Sequence, residues 1–125
     1  MGSVRYILPA LVFIVIGCSG SDITSANDIV FPATYVSFKA QVEPLFTLSC
    51  NITGCHDMAR NSNNSIDLTS WVGVRSINVI NQPGDTTCNL IQVVFGRKFH
   101  NGPINLNSNH RQGLKQWVIE GAKDN

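Results

Sequence analysis

The chain has no excess of charge of either sign, because 9 Lys and Arg residues stand against 8 Asp and Glu residues among 125. Charged residues make up only 14% of the sequence, and they form no basic or acidic run. Binding to nucleic acid or to an anionic membrane surface through charge requires a basic patch. The composition therefore supports neither kind of partner, and we expect no nucleic-acid binding.

The sequence also lacks the common patterns of catalysis and repetition. No Ser/His/Asp set, no paired carboxylates, no glycine-rich phosphate loop and no internal repeat stand out. A second C-x-x-C or H-x-x-x-H pair, which would strengthen a zinc site, is absent as well. Methionine occurs only twice, at Met1 and Met58. An enzymatic function thus has little support, and a chain of this length has room for one small domain.

The first 17 residues have the layout of an export signal. A short basic start, ending at Arg5, leads into the apolar run "YILPALVFIVI" at residues 6–16, and small residues follow. An apolar core of about 7–15 residues fits a secretory signal and is too short for a good membrane span. We therefore predict that residues 1–17 are a signal peptide and that the protein is exported.

The stretch "VIGC" at the end of the signal resembles the lipobox of bacterial lipoproteins, in which the cysteine becomes the lipidated first residue. Cys18 is accordingly the predicted lipidation site; the alternative is ordinary cleavage near Gly20 with loss of Cys18. The protein is then anchored by lipid and faces the periplasm or the cell surface. Residues 18–35 lack periodicity and predict a flexible tether, which leaves residues 36–125 as the folded domain.

The sequence of residues 36–125 predicts a small all-α domain with long loops. A helix is expected where apolar residues share one face from Phe38 to Phe46, with a kink or boundary at Pro44. A short helix is expected in "DLTSWVGV", with Leu68, Trp71, Val72 and Val74 as its apolar residues. Another is favoured in "TTCNLIQVVFG", closed by Gly96, although the β-branched residues of this segment would also suit a strand. The last helix, "NHRQGLKQWVIEGA", is expected to be capped by Ser108. So few apolar residues make a thin core unless a cofactor fills its centre.

The stretch "CNITGCH" contains the residues best suited to bind a cofactor or a metal: Cys50, Cys55 and His56. Covalent haem attachment uses C-x-x-C-H, and four residues instead of two separate the cysteines here. Gly54 could accommodate a bulge on the side of the first thiol. Two other interpretations stay open at this point. One is a metal site with Cys88 or His100 as a further ligand, and the other is a disulfide from Cys50 to Cys55 or to Cys88.

Residues 38–125, about 70% of the chain, resemble the small exported c-type cytochrome domains of planctomycete and Bacteroidetes-type proteins. The similar stretches, in the same order, are "VEPLFTLSC…GCHD", "IDLTSW", "NQPGDTTCNLIQVVFG" and "LKQWVIEGAKDN". This resemblance implies a cytochrome c-like helical domain around one covalently bound haem c. Cys50 and Cys55 would form the thioethers and His56 would be the proximal iron ligand.

The chain departs from this family at the distal ligand. The family usually supplies a methionine just before the closing helix, whereas this sequence has His100 there, in "RKFHNGPINL". We therefore expect His100 as the distal ligand, with His110 or an open position as the alternatives. His110 is otherwise expected to be an exposed residue in the first turn of the last helix. Cys88 is expected to be a buried thiol, the alternative being an intermolecular disulfide.

The function that follows is one-electron transfer by a membrane-anchored mono-haem cytochrome, alone or as a subunit of a larger redox complex. Its expected partners are redox proteins, most of them membrane-bound. Peroxidase-like chemistry would require an open distal position. The alternative is a structural or binding lipoprotein without haem, which carries a disulfide or zinc at the Cys/His loop.

Overall fold

The computed structural model describes residues 22–52, 54–56 and 66–125. Four α-helices lie in this part of the chain: α1 (Glu43–Ser49), α2 (Trp71–Val74), α3 (Asn89–Val94) and α4 (Ser108–Ile119). A 3₁₀ turn at Ala26–Asp28 and a π-helix at Phe38–Val42 precede them, and the described ranges contain no strand. Helices joined by long connections agree with an all-α domain in this part of the chain. The cytochrome c-like arrangement stays a prediction.

The opening helix begins as a π-helix and continues without a break into α1. Ser37 caps its start, because its hydroxyl oxygen accepts a hydrogen bond from the Ala40 N–H at 3.2 Å. Pro44 lies in the first turn of α1, next to the change from π-helix to α-helix. The predicted boundary at Pro44 is thus a change of helix type and not an end of the helix. The predicted apolar face is buried throughout, with exposures of at most 3% at Phe38, Val42, Leu45 and Phe46.

The N-cap of the closing helix α4 lies one residue before the predicted N-cap. Asn107, not Ser108, is the cap, and its side-chain oxygen accepts a hydrogen bond from the His110 N–H at 2.9 Å. Leu114, Trp117 and Val118 are fully buried, as their spacing predicts. The Trp117 ring stacks on Phe38 with centroids 5.6 Å apart, which ties α4 to the opening helix.

The segment before the opening helix packs on α4, although its sequence predicts a tether. Ile29 and Phe31 are buried, and Phe31 exchanges two hydrogen bonds with the Asn109 side chain, of 2.9 and 3.1 Å. The Glu120 carboxylate accepts the Val36 N–H at 2.9 Å. The packed part of the chain therefore starts at Ile29 and not at Val36. Two apolar side chains are too few to show a periodic pattern in the sequence. In the structure they pack against the last helix.

Two short helices lie between these ends. Ser70 caps α2, where Val74 is buried but Val72, predicted as apolar packing, is 73% exposed. A helix of one turn has too few positions for all its apolar residues to share a buried face. The helix α3 ends as predicted before Gly96, whose φ of +68° is a conformation that glycine adopts without strain.

The predicted signal peptide, residues 1–17, and the predicted lipidation site Cys18 lie outside the described residues. Within the described ranges, no helix has the length and apolar character needed to cross a membrane.

Candidate cofactor pocket

One pocket brings the Cys/His loop together with the loop that precedes α4. Cys50, Cys55 and His56 line it from the first loop, and His100 lines it from the second. The pocket has a cavity volume of about 110 Å³ and opens to solvent. Cofactor and ligand pockets usually measure about 300–1,000 Å³, so the cavity itself is smaller than a typical cofactor site. Its walls are mostly apolar and include Phe46, Leu68, Leu90, Val94, Ile104 and Leu106.

The two histidines face each other across this pocket. The ring centroids of His56 and His100 are 6.0 Å apart, and the ring planes are inclined by 27°. The two imidazoles, one from each loop, are therefore stacked neighbours at the pocket.

The hydrogen bond of His56 determines which of its nitrogens is available. Nδ1 lies 3.1 Å from the carbonyl oxygen of Ile66. Because a carbonyl only accepts hydrogen bonds, Nδ1 carries the hydrogen and donates it, which leaves the Nε2 lone pair available in the neutral ring. Metal-binding histidines are usually oriented by this kind of bond from the second nitrogen.

His100 makes the same kind of hydrogen bond through Nδ1, but this bond is longer. Its Nδ1 lies 3.3 Å from the carbonyl oxygen of Gly102, so Nε2 is again the nitrogen left for a ligand. The Gly102 acceptor is only two residues away, in the same loop, whereas the Ile66 acceptor of His56 is ten residues away. His56 is thus held by a separate segment of the chain, and His100 is positioned by its own loop.

The backbone of the Cys/His loop accommodates the stretched spacing between the cysteines. The Cys50 N–H ends α1 with a 2.8 Å bond to the Phe46 carbonyl, and the His56 N–H returns to the Cys50 carbonyl at 3.1 Å. The Cys55 N–H also bonds to the Ile52 carbonyl at 2.9 Å. Gly54 has φ +87°, in the region that favours glycine. The loop therefore closes on itself and leaves Cys50, Cys55 and His56 at one pocket.

The pocket environment makes Cys50 a weak acid. Burial, with a smaller contribution from the negative charge of Cys55, raises the pKa of the Cys50 thiol to about 11. Cys50 is thus a neutral thiol at physiological pH, and Cys55 is exposed at the pocket mouth. The thiolate is the reactive form of cysteine. The Cys50 thiol is therefore slow to react with oxidants.

The metal-site interpretation stays a hypothesis. No three His, Cys, Asp or Glu side chains come together there as a metal-binding group. Cys88, the proposed further ligand, is 3% exposed at the start of α3, and burial is the main cause that raises the pKa of its thiol. Its burial agrees with the predicted role as a small apolar residue.

His110 was predicted to be exposed, but it is buried, with an exposure of only 1%. Its Nε2 donates to the Ile29 carbonyl at 3.1 Å, and its Nδ1 accepts the Asn107 N–H at 3.4 Å. Both ring nitrogens are thus engaged with backbone groups, away from the pocket lining. The prediction was wrong because the segment around Ile29 covers this turn of α4. As a distal ligand His110 would have to give up both bonds, so His100 is the histidine that the pocket offers.

Sequence reasoning missed the polar residues around the pocket. Asn78, Asn89 and Asn105 line it and are exposed, and together we call them the polar rim. Arg111 on α4 supports the wall from behind, since its guanidinium donates to the carbonyls of Leu106 at 3.1 Å and Ile104 at 3.4 Å. Isolated asparagines carry no pattern that marks them, and the Arg111 contacts depend on the path of the loop before α4.

The chain matches no protein family model, no curated protein and no solved structure. The resemblance of residues 38–125 to c-type cytochrome domains therefore rests on the quoted stretches of sequence. A function for this chain has to be inferred from the pocket and its residues.

Proposed function

We propose that this protein is a mono-haem c-type cytochrome that transfers single electrons. Cys50 and Cys55 hold the haem through thioethers, His56 is the proximal ligand and His100 the distal ligand. The observation that carries the proposal is the pair of imidazoles, 6.0 Å apart, in a pocket that both cysteines also line. No other set of described residues combines two available imidazole nitrogens with two neighbouring thiols.

The donor set and the walls fit such a cofactor. Each histidine bonds through Nδ1 to a carbonyl, so each keeps its Nε2 lone pair for a ligand. Two neutral imidazoles are competent axial ligands for haem iron. The walls are mostly apolar, and an apolar shell around a metal site tunes its potential. A covalently bound haem supplies an iron that accepts and releases one electron at a time.

Two consequences follow from the proposed pair of histidine ligands. Replacement of a distal methionine by His100 lowers the reduction potential relative to His/Met ligation, since methionine ligation raises it. His56 and His100 would together hold the iron and leave no position for peroxide, so we propose an electron carrier and not an enzyme. Export and lipidation at Cys18 would keep this carrier close to membrane-bound redox partners, on the periplasmic side or at the cell surface.

The test is covalent haem content. The full chain is produced in a bacterial host that attaches haem c, and the pyridine haemochrome spectrum is recorded after acid-acetone extraction. Haem that resists extraction, with a c-type spectrum, is the expected result. Cys50→Ala and Cys55→Ala should each leave one thioether and shift the haemochrome band, while Cys88→Ala, a control outside the pocket, should leave the band unchanged.

A protein without covalent haem in a competent host would contradict the proposal. Thiol titration of the same preparation then distinguishes the alternative. A disulfide that involves Cys50 would indicate the lipoprotein with a disulfide-closed loop, and zinc that co-purifies in equal amount would indicate the metal site.

A further inference from the structure

The walls of the pocket contain apolar side chains, the four residues of the candidate site and the polar rim. Among the described residues that line it, none is Asp, Glu, Lys or Arg. A haem carries two carboxylate side chains, the propionates, on the edge away from its vinyl groups. A carboxylate needs hydrogen-bond donors or a cation nearby when it leaves bulk water. If the pocket holds a haem, a carboxylate partner should therefore be found at its margin.

Lys98 supplies a cation at this margin. Its Nζ donates a 2.7 Å hydrogen bond to Oδ1 of Asn89, which belongs to the polar rim. Asn89 in turn donates from Nδ2 to the Asn78 carbonyl at 2.9 Å. A lysine ammonium has three donors, so the bond to Asn89 leaves donors of Nζ for a second acceptor. Lys98 is exposed, and this acceptor can therefore come from a group that projects out of the pocket.

The backbone holds Lys98 in this place. The N–H groups of Arg97 and Lys98 both bond to the carbonyl of Gln92, at 2.8 and 3.1 Å. The chain after α3 therefore folds back along the helix, and the long side chain of Lys98 reaches the first residue of α3. The start of α3 is itself tied to the preceding segment, because the Leu90 N–H bonds to the Val79 carbonyl at 3.1 Å.

We propose that Lys98, positioned by Asn89, binds a haem propionate at the polar rim. The proposal rests on the proposed function, since it needs a haem in the pocket. Cys50 and Cys55 would hold the haem through its vinyl groups, and Lys98 would hold one of its carboxylates. One ammonium–carboxylate hydrogen bond forms, and no covalent bond changes.

The experiment compares haem-loaded Lys98→Met, which keeps the length of the side chain but removes its charge, with Lys98→Arg, which retains the charge. Lys39→Met, at an exposed lysine of the opening helix, is the matched control for the loss of one positive charge. Resonance Raman spectra report the propionate bending band, whose frequency rises with the strength of hydrogen bonding to the carboxylate. Redox titration gives the midpoint potential.

In Lys98→Met we expect the propionate band to move to lower frequency. Its midpoint potential should fall, because the loss of a positive charge near the haem favours the ferric form. Lys39→Met measures how much of that change any lost surface charge produces. Lys98→Arg should keep both readouts near the wild-type values, and Lys39→Met should leave the band unchanged. A band that does not move in Lys98→Met would overturn the proposal even if the potential changes. Preparations without covalent haem would overturn the proposed function and this inference together, whereas normal haem content with an unmoved band would overturn this inference alone.

Discussion

The backbone N–H of His56 donates a 3.1 Å hydrogen bond to the carbonyl oxygen of Cys50, across a loop that contains four residues between its two cysteines. The ends of the Cys/His loop are therefore held together by the backbone itself, before any cofactor binds. The longer spacing does not move His56 away from the first thiol. The loop conformation depends on Gly54, which has φ +87°.

Gly54→Ala should destabilise the loop. No atom lies within 4 Å of an added Cβ, apart from the neighbouring residues, so the expected cost arises from the backbone conformation alone. This cost is about 1 kcal/mol for an L-residue in the left-handed region. Gly54→Asn should cost less, because asparagine tolerates this region better. Urea unfolding of the two variants and the wild type measures the difference, and equal midpoints for all three would show that the loop does not need glycine.

Replacement of His100 tests the distal ligand. In the haem-loaded protein, His100→Ala should convert a low-spin absorption spectrum to a high-spin one, because one axial nitrogen is lost. His100→Met should keep the low-spin state and raise the midpoint potential, since methionine ligation favours the ferrous form. Asn101→Ala, at the adjacent exposed residue, is the control and should leave the spectrum unchanged. A low-spin spectrum in His100→Ala would assign the distal position to another group.

Phe31→Ala tests whether the segment before the opening helix belongs to the folded domain. Phe31 is 4% exposed and packs against Gly113 of α4, whereas the adjacent Val30 is 72% exposed. Truncation of a buried phenylalanine typically costs about 3–5 kcal/mol. Val30→Ala should change the free energy of unfolding by less than about 0.5 kcal/mol, as surface substitutions usually do. Equal stabilities for the two variants would mean that this segment is a tether after all.

The raised pKa of Cys50, about 11, predicts a loss of stability at alkaline pH in the chain without haem. In the unfolded chain the thiol has its ordinary pKa of 9.0, so it releases its proton there first as the pH rises. The stabilisation is therefore complete below about pH 9 and is lost as the pH approaches 11, by an amount on the order of 2 kcal/mol.

Unfolding free energies at pH 8 and pH 11 measure this loss. Cys88→Ala serves as the background for the comparison, because burial also raises the pKa of the Cys88 thiol. In this background, Cys50→Ala should reduce the difference between the two pH values. An unchanged difference would show that Cys50 does not control the alkaline transition.

The helices were predictable because each has a local signal. The apolar face from Phe38 to Phe46, the turn at Gly96 and the buried side of α4 all follow from spacing or from a glycine at a helix end. The packing of Ile29 and Phe31 was not predictable, because two apolar residues in a polar segment show no period. The burial of His110 was missed for the same reason, since this N-terminal segment is what covers the ring.

The candidate site was predictable in its parts but not in its arrangement. The adjacency of Cys55 and His56 predicted the first half of the site, and the resemblance to c-type cytochrome domains predicted His100 in the place of their usual methionine. The distance between the two imidazoles depends on the loop before α4, whose sequence has no periodic pattern. The link from Lys98 to Asn89 depends on the return of the chain to Gln92, a backbone feature with no residue-type signature.

Asn109 and Arg111 lie two residues apart on α4, and each is bonded to a different region of the chain. Asn109 bonds to the N-terminal segment through Phe31, and Arg111 bonds to the pocket wall through the carbonyls of Ile104 and Leu106. The first turn of α4 is therefore a shared support for the N-terminal segment and the pocket wall.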